Sequence, residues 1–133
     1  MQVTIVTPET RIYQGEDVDL TIGRSPEGEF GIMNGHIPFL AALVPGRVRV
    51  VSGGDAEEFF VPGGFLEASG SRDDYHVIVL ADDAESLNDL DESRARDRLE
   101  EARRRHEQEA DDRTEAALRV EMARVEIAES RGQ

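Results

Sequence analysis

The chain of 133 residues contains no cysteine, no lysine and no tryptophan. Without cysteine it can form no disulfide, no thiolate metal site and no thiol nucleophile. Without lysine it lacks the cation of a P-loop and the amine of a Schiff base. All 15 basic residues are arginines, and 29 acidic residues bring the formal net charge to −14. Because so acidic a surface repels phosphate backbones, we expect no binding to nucleic acid.

Long hydrophobic runs are missing as well. No stretch approaches the ~20 apolar residues that a membrane-spanning helix needs, and no basic-then-apolar segment opens the chain as a signal peptide would. We therefore expect no direct insertion into a membrane, and a protein that is cytosolic or attached to a membrane through a partner. The length suits one ordinary domain, or one compact domain with a small appendage.

Glycine is concentrated in the first part of the chain. Every glycine except Gly132 lies before Leu87. Residues 17–22 alternate strictly, which predicts a strand with Val18, Leu20 and Ile22 on one face. Further short apolar runs, separated by turn signals, occupy residues 2–6, 11–15, 46–51, 57–62, 63–68 and 75–81. Strands this short and this closely spaced predict an antiparallel β-sandwich or barrel over residues 1–86.

Residues 87–133 have a different composition, dominated by Ala, Glu, Arg and Leu, and predict a two-helix antiparallel hairpin. The fold class is therefore α+β. We place the turn within residues 106–114, with Asp111 or Asp112 as the N-cap of the second helix. The first helix is expected to have one apolar stripe, made of Ala95, Leu99, Ala102 and His106.

The second helix is predicted to be apolar on two opposite faces. One face contains Ala116, Val120, Ala123 and Ile127, and the other contains Leu118, Met122 and Val125. A helix of this kind needs two partners, one of which would be the first helix. Because its side chains are small, each buries little area, and we expect a weakly held, detachable hairpin.

Residues suited to catalysis or metal binding do not converge in the sequence. The three histidines have no partners at metal-ligand spacing, and neither G-x-S-x-G nor G-x-G-x-x-G occurs. We therefore predict no catalytic residue and no metal site. His36 lies in a rigid loop between Gly35 and Pro38, where it either faces a partner or hydrogen-bonds to the backbone. The sequence leaves both interpretations open.

A set of segments in a fixed order resembles the epsilon subunit of bacterial F-type ATP synthase. These segments are IVTPETRIYQGE (5–16), EGEFGIMNGHIPFLAAL (27–43), PGRVRV (45–50), VPGGFLE (61–67), VIVLADDAE (77–85) and LDESRA (90–95). The resemblance implies a ten-stranded sandwich, residues 1–86, that binds the gamma subunit and the c-ring. It implies that residues 87–133 form a mobile regulatory hairpin that inhibits ATP hydrolysis by the alpha/beta catalytic head.

By the same resemblance the chain would be non-catalytic and peripheral, on the cytoplasmic side of a bacterial cell membrane. The c-ring contact would fall in a loop formed by Glu27, Gly28, Glu29, Phe30 and Gly31, and His36 would lie near the gamma contact. Asn34 stands where the family commonly has proline, and we expect the loop to tolerate it because asparagine reaches turn geometry.

The segment LDESRA also resembles the nucleotide motif of ATP-binding family members, and ATP is the only ligand that the resemblance implies. The matching residues are Leu90, Asp91, Arg94 and Ala95, with Glu85 and Arg124 as further candidates. A second basic residue is expected one helical turn after Arg124, where this chain has Ala128. Its loss would forfeit ~1.5–3 kcal/mol of charge-assisted hydrogen bonding. Alternatively, Asp91 opens the first helix and pairs with Arg94.

A second interpretation of the whole chain is a β-sandwich adaptor whose hairpin mediates assembly of another complex. It accounts for the two composition halves equally well, but not for the order of the segments that resemble the epsilon family.

Overall fold

The computed structural model describes residues 1–131. The chain divides into two compact units, one comprising Met1–Ser86 and the other beginning at Leu87. The first unit is built of strands and the second of helices.

The first unit is a sandwich of two five-stranded sheets. Its strands are β1 (Gln2–Val6), β2 (Arg11–Gly15), β3 (Leu20–Ser25), β4 (Gly28–Met33), β5 (Phe39–Leu43), β6 (Gly46–Ser52), β7 (Asp55–Val61), β8 (Gly64–Ser71), β9 (Asp74–Ala81) and β10 (Glu85–Ser86). The sheet orders are β2-β1-β9-β8-β5 and β10-β7-β6-β3-β4. Strands β1 and β9 pair in parallel, and the other pairs are antiparallel. The predicted sandwich is confirmed.

The core lies between the two sheets and is supplied by alternate residues of each strand. In β6, Val48 and Val50 are buried while Arg47 and Arg49 are exposed, as the alternation predicts. The buried apolar cluster contains Val3, Ile5, Val18, Ile32, Leu43, Val48, Val50, Phe59, Val61, Leu66, Ala68, Tyr75, Val77, Val79 and Ala81. At ~1.5–3 kcal/mol for each fully buried large side chain, this core is the main source of stability.

The predicted strand over residues 17–22 is wrong in its boundaries and in its buried face. Strand β3 begins at Leu20, and within it Thr21, rather than Leu20 or Ile22, is buried. Val18 is buried too, but it precedes the strand and its N–H donates to the carbonyl of Met1 at 3.0 Å. Because Val18 lies outside the regular pleat, its burial does not predict which face of β3 points inward.

Residues 27–31 do not form a loop, which corrects the predicted shape of that segment. Only Pro26 and Glu27 form the turn, and Gly28–Met33 is an edge strand that pairs with β3 from Ser25↔Gly28 to Leu20↔Met33. Two glycines within β4 lower its strand propensity, which hides the strand from the alternation pattern. Gly28 has φ +125°, a conformation that favours glycine at this turn.

The second unit consists of a short 3-10 turn, Leu87–Asp89, and the helices α1 (Glu92–Gln108) and α2 (Asp112–Ser130). This confirms the helical hairpin, with a turn tighter than the predicted one. Asp111 is the N-cap of α2, and its carboxylate and Thr114 form a reciprocal capping box. Hydrogen bonding from the Thr114 backbone lowers the pKa of the Asp111 carboxyl. No helix within residues 1–131 is long and apolar enough to cross a membrane.

The predicted stripe of α1 is confirmed, since Ala95 and Ala102 are buried and Leu99 and His106 are half-buried while the rest of the helix is exposed. The predicted faces of α2 are confirmed only in part, since Val125 is buried and Leu118, Val120, Ala123 and Ile127 are half-buried. The buried residues of α2 are Glu121, Arg124, Val125 and Ala128, whereas Ala116 and Met122 are exposed. Two charged residues therefore occupy buried positions because they neutralise each other within the unit.

Candidate functional site

The loop between β4 and β5 is rigid and holds His36 by its backbone. The Asn34 amide donates to the carbonyl of Arg72 at 2.8 Å, and the His36 N–H donates to the carbonyl of Met33 at 3.1 Å. Gly35 has φ +84°, which an L side chain rarely adopts. The loop therefore forms with Asn34 present, as expected from its tolerance of turn geometry.

The His36 ring is engaged on two sides. Its Nδ1 donates to the carbonyl of Ile37 at 2.7 Å, and its edge packs on Phe39 with ring centroids 5.7 Å apart. The Tyr75 hydroxyl reaches the same Ile37 carbonyl at 3.5 Å, and burial raises the pKa of that phenol. The backbone-bonded interpretation of His36 is confirmed, while its contact with a partner stays a prediction.

Apolar side chains project into solvent beside this loop. Met33 is 63% exposed, Ile37 is 74% exposed and Leu40 is 67% exposed. Single exposed apolar residues are ordinary, but three within eight residues on and beside one rigid loop are a candidate protein contact. We call Met33, Ile37 and Leu40 the apolar patch.

The predicted c-ring residues lie at the neighbouring edge of the sandwich. The hydroxyl of Ser25 lies 3.1 Å from a carboxylate oxygen of Glu27 and accepts the Glu27 N–H at 3.2 Å, which fixes the turn. Phe30 packs on Phe39 with ring centroids 5.0 Å apart. A groove of about 520 Å³ is lined here by Ser25, Pro26, Glu27, Gly28, Glu29, Phe30, Phe39, Leu40, Ala41 and Ala42. The groove combines an aromatic floor with two carboxylates.

The candidate nucleotide residues have different structural roles. Asp91 is the N-cap of α1, and its carboxylate accepts the backbone N–H of Arg94 at 3.1 Å. Leu90 and Ala95 are buried, and Glu85 lies in β10 opposite Phe60. Of the two predicted roles for Asp91, helix capping is confirmed, but the expected ion pair with the Arg94 side chain is not observed.

Arg94 and Arg124 differ sharply in environment. The Arg94 guanidinium is exposed and makes no hydrogen bond or ion pair with any residue in the described range 1–131. Arg124 is only 4% exposed, and its Nε donates to a carboxylate oxygen of Glu121 at 2.9 Å. The predicted phosphate-binding arginine of α2 is therefore already paired with a carboxylate.

Glu121 also joins the two helices. Its second carboxylate oxygen accepts from Nη2 of Arg98 on α1 at 3.2 Å and from Nε of the same residue at 3.3 Å. Glu121 is 8% exposed and Arg98 is exposed, so the cluster runs from the surface into the interior. We call Arg98, Glu121 and Arg124 the ionic cluster. The sequence interpretation missed it because it assigned the two faces of α2 from apolar residues alone.

Two further polar contacts link α1 to α2. Arg96 Nη2 binds Glu129 at 2.7 Å, and His106 Nδ1 lies 2.9 Å from the Thr114 hydroxyl. Together with the ionic cluster, these contacts occupy three levels along the hairpin. The helices are thus held by charge and hydrogen bonding as well as by small apolar side chains.

A groove of about 870 Å³ lies along the hairpin and is neutral overall. It is lined by four arginines and four carboxylates, which are Arg94, Arg98, Arg105, Arg113, Asp97, Glu101, Glu109 and Glu121, together with Ala102, Gln108, Thr114 and Ala117. Since the charges cancel, the groove offers a polyphosphate no net positive field. Within residues 1–131, no cluster of three or more histidines or carboxylates could hold a metal ion.

The fold defines a class of protein in which a ten-stranded β-sandwich is followed by a two-helix hairpin. A family model described as "ATP synthase, Delta/Epsilon chain, beta-sandwich domain" matches residues 1–87. The ATP synthase epsilon chain of Shouchella clausii is 37% identical over 99% of this chain and 97% of its own length. The ATP synthase epsilon chain of Anaeromyxobacter sp. strain K is 40% identical over 96% of this chain and 97% of its own length. The chain belongs to the ATP synthase epsilon chain family.

Solved structures agree with this assignment. A chain of the Euglena gracilis mitochondrial ATP synthase, in a structure of OSCP, F1 and c-ring, has a TM-score of 0.75 and 27% identity. The match covers 91% of this chain and 76% of that chain. A chain of the Tetrahymena thermophila mitochondrial ATP synthase shares the fold at a TM-score of 0.52 and 20% identity. This match covers 68% of this chain and 69% of that chain. The predicted family and fold are therefore confirmed.

Proposed function

We propose that this chain is the non-catalytic central-stalk subunit of an F-type ATP synthase, with a sandwich that binds the gamma subunit and the c-ring. In this role it couples proton-driven rotation to ATP synthesis, and its hairpin inhibits ATP hydrolysis by the alpha/beta head. It sits on the cytoplasmic side of the membrane through these partners. The observation that carries the proposal is the apolar patch on a rigid loop, in a chain related to epsilon chains over nearly its full length.

The apolar patch is the proposed contact for gamma. Its loop is already ordered by the Asn34 and His36 hydrogen bonds, so little conformational entropy is lost when a partner binds. His36 serves to hold the loop, and Ile37 beside it supplies apolar area.

The groove at the β3–β4 turn is the proposed contact for the c-ring. Glu27 and Glu29 offer carboxylates to a basic side chain, and Phe30 offers apolar surface beside them. Strand β4 is at the edge of its sheet, so this contact lies where the backbone is also accessible. Charge at such a rim steers encounter more than it adds affinity.

The hairpin is the proposed regulatory element. Its two helices are joined by three levels of polar contact and by few large apolar side chains, so opening them exposes little hydrophobic surface. Elements that move in regulation are drawn from the least stable part of a fold. The predicted nucleotide contribution of Leu90, Asp91, Arg94 and Ala95 remains part of this proposal, in which Arg94 supplies a cation that has no ion pair within residues 1–131.

Truncation tests the regulatory half of the proposal. The chain lacking residues 87–133 is reconstituted with the catalytic head and gamma, beside the full chain. We expect higher ATP hydrolysis with the truncated chain and unchanged retention of gamma. Inhibition by the truncated chain equal to that by the full chain would contradict a regulatory hairpin. Capture of the tagged full chain from native membranes without gamma or catalytic subunits would favour the adaptor interpretation instead.

A further inference from the structure

Glu121 places a negative charge between arginines of the two helices of the hairpin. One carboxylate oxygen binds Arg124 of the same helix at 2.9 Å, and the other binds Arg98 of the facing helix at 3.2 Å. The carboxylate therefore bridges two guanidinium groups across the hairpin. Bridging of this kind is also what a phosphate does, because guanidinium donors match both anions in geometry.

We propose that Glu121 is an internal counter-ion that closes the hairpin in place of a nucleotide phosphate. This inference rests on the proposed regulatory role of the hairpin and concerns what holds its two helices together. The consequence is that closure does not depend on nucleotide concentration. Opening is then governed by competition between the ionic cluster and the partners that the separated helices meet.

Burial makes the ionic cluster selective for its own carboxylate. Glu121 and Arg124 are 8% and 4% exposed, so an external anion would have to displace a carboxylate that is already desolvated. The surrounding groove gives that anion no advantage, since its four arginines are balanced by four carboxylates. Ala128, also buried, adds no charge one turn further along α2.

The test measures the distance between the two helices in the full chain. Because the chain lacks cysteine, thiols introduced at the exposed positions Arg103 and Ala116 accept spin labels at those two positions alone. Pulsed electron resonance then reports closed and open populations with and without Mg-ATP. Glu121→Gln removes the charge at constant shape, and Glu126→Gln is the matched control, an exposed acid on the same helix.

The unaltered chain should be closed without nucleotide, and Mg-ATP should not change its distances. Glu121→Gln should lower the closed-to-open ratio at least about tenfold, since it removes charge-assisted hydrogen bonds from both guanidinium groups. Mg-ATP should restore closure of this variant by population shift, because the carboxylate that binds Arg98 and Arg124 is gone and phosphate can take its place. Glu126→Gln should behave like the unaltered chain.

Three results would overturn the inference. One is a nucleotide-free chain that is open and closes only with Mg-ATP. Another is a Glu121→Gln variant indistinguishable from Glu126→Gln. The third is a Glu121→Gln variant that stays open at saturating Mg-ATP, because its guanidinium groups would then show no preference for phosphate.

A second variant covers the case in which Glu121→Gln does not fold. Arg98→Gln removes only the half of the bridge contributed by α1 and leaves the Glu121–Arg124 pair within α2 intact. It should open the hairpin in the same direction by a smaller factor, and no change in distance would count against the bridge. If the variants open the hairpin while ATP hydrolysis of the reconstituted complex is unaffected, the internal counter-ion stands and the inhibitory role falls.

Discussion

The carboxylate of Asp91 accepts the backbone N–H of Arg94 at 3.1 Å, so the two charged residues of the predicted nucleotide motif are joined through the main chain. The same contact caps α1 and satisfies one of the N–H groups that a helix start leaves unpaired. The Arg94 side chain itself makes no ion pair with Asp91. Capping uses the Asp91 carboxylate and the Arg94 backbone N–H, whereas phosphate binding would use the Arg94 guanidinium.

Substitution of Asp91 separates capping from charge. Asp91→Asn keeps a good N-cap and should leave the stability of the hairpin nearly unchanged, whereas Asp91→Ala should cost about 1 kcal/mol. Thermal melts followed by helical circular dichroism measure the difference. If Asn were as damaging as Ala, the negative charge rather than the cap would be what α1 requires.

Arg94→Ala tests the predicted nucleotide motif without disturbing the fold. Because the guanidinium is exposed and makes no ion pair within residues 1–131, its removal should change the free energy of unfolding by less than about 0.5 kcal/mol. Calorimetric titration with Mg-ATP should show weak or no binding to the unaltered chain, and any heat present should be lost in Arg94→Ala. Binding that is tight in both proteins would place the nucleotide elsewhere.

Thr21 offers a substitution that should stabilise the sandwich. Its hydroxyl is fully buried and has no hydrogen-bond partner among residues 1–131. Thr21→Val replaces the hydroxyl by a methyl group of similar size and should raise the free energy of unfolding by about 1 kcal/mol, as expected when an unpaired buried polar group is removed. Thr21→Ser keeps the hydroxyl and loses the methyl, so urea denaturation should show it to be less stable than the unaltered chain.

Strands β6 and β3 show how far the alternation of polar and apolar residues predicts the fold. Alternation of valine with arginine predicts β6 correctly because every second side chain enters the core. In β3 the same rule fails, since Val18 packs before the regular strand begins and the buried residues of the strand are Thr21, Gly23 and Ser25. Register depends on partner strands, and these are distant in sequence.

The ionic cluster shows why the site was harder to predict than the fold. Residues 114, 118, 121, 125 and 128 follow the 4-3-4-3 spacing of a buried stripe, which contains Glu121. This spacing was the one feature of the sequence that could have predicted the burial of Glu121. A charged residue in such a stripe is buried only if an opposite charge meets it, and Arg98 lies 23 positions away on another helix.

Alkaline pH should destabilise the sandwich through its tyrosines. Burial raises the pKa of Tyr75, and burial together with the nearby Glu57 charge raises that of Tyr13. Each contribution is complete below the ordinary pKa of 10.0 and is lost as pH rises through the raised value in the folded state. Since the chain has no lysine or cysteine, no other side chain titrates near this pH.

Urea denaturation at increasing pH, with phenolate absorbance as a second signal, measures this effect. Stability should fall above about pH 10 in the unaltered chain and fall less steeply in Tyr75→Phe. Tyr13→Phe is the companion variant for the second phenol. A profile with the same slope in both variants and the unaltered chain would locate the alkaline transition outside the tyrosines.

The apolar patch predicts which surface substitutions separate partner binding from stability. Ile37→Glu and Leu40→Glu place a charge on side chains that are 74% and 67% exposed, so the free energy of unfolding should change by less than about 0.5 kcal/mol. Binding to gamma, measured by co-purification and by titration, should weaken at least about tenfold, since a desolvated carboxylate would face an apolar contact.

Ala56→Glu is the matched control for these two variants, because it adds the same charge at an exposed position of β7. It should retain gamma as the unaltered chain does. The reason for expecting a difference is the rigidity of the loop, in which the Ile37 carbonyl is held by His36 at 2.7 Å. A fixed loop cannot withdraw the new charge from the interface. Equal retention of gamma by all three variants would exclude the apolar patch as its contact and leave the c-ring groove as the proposed contact at this end of the sandwich.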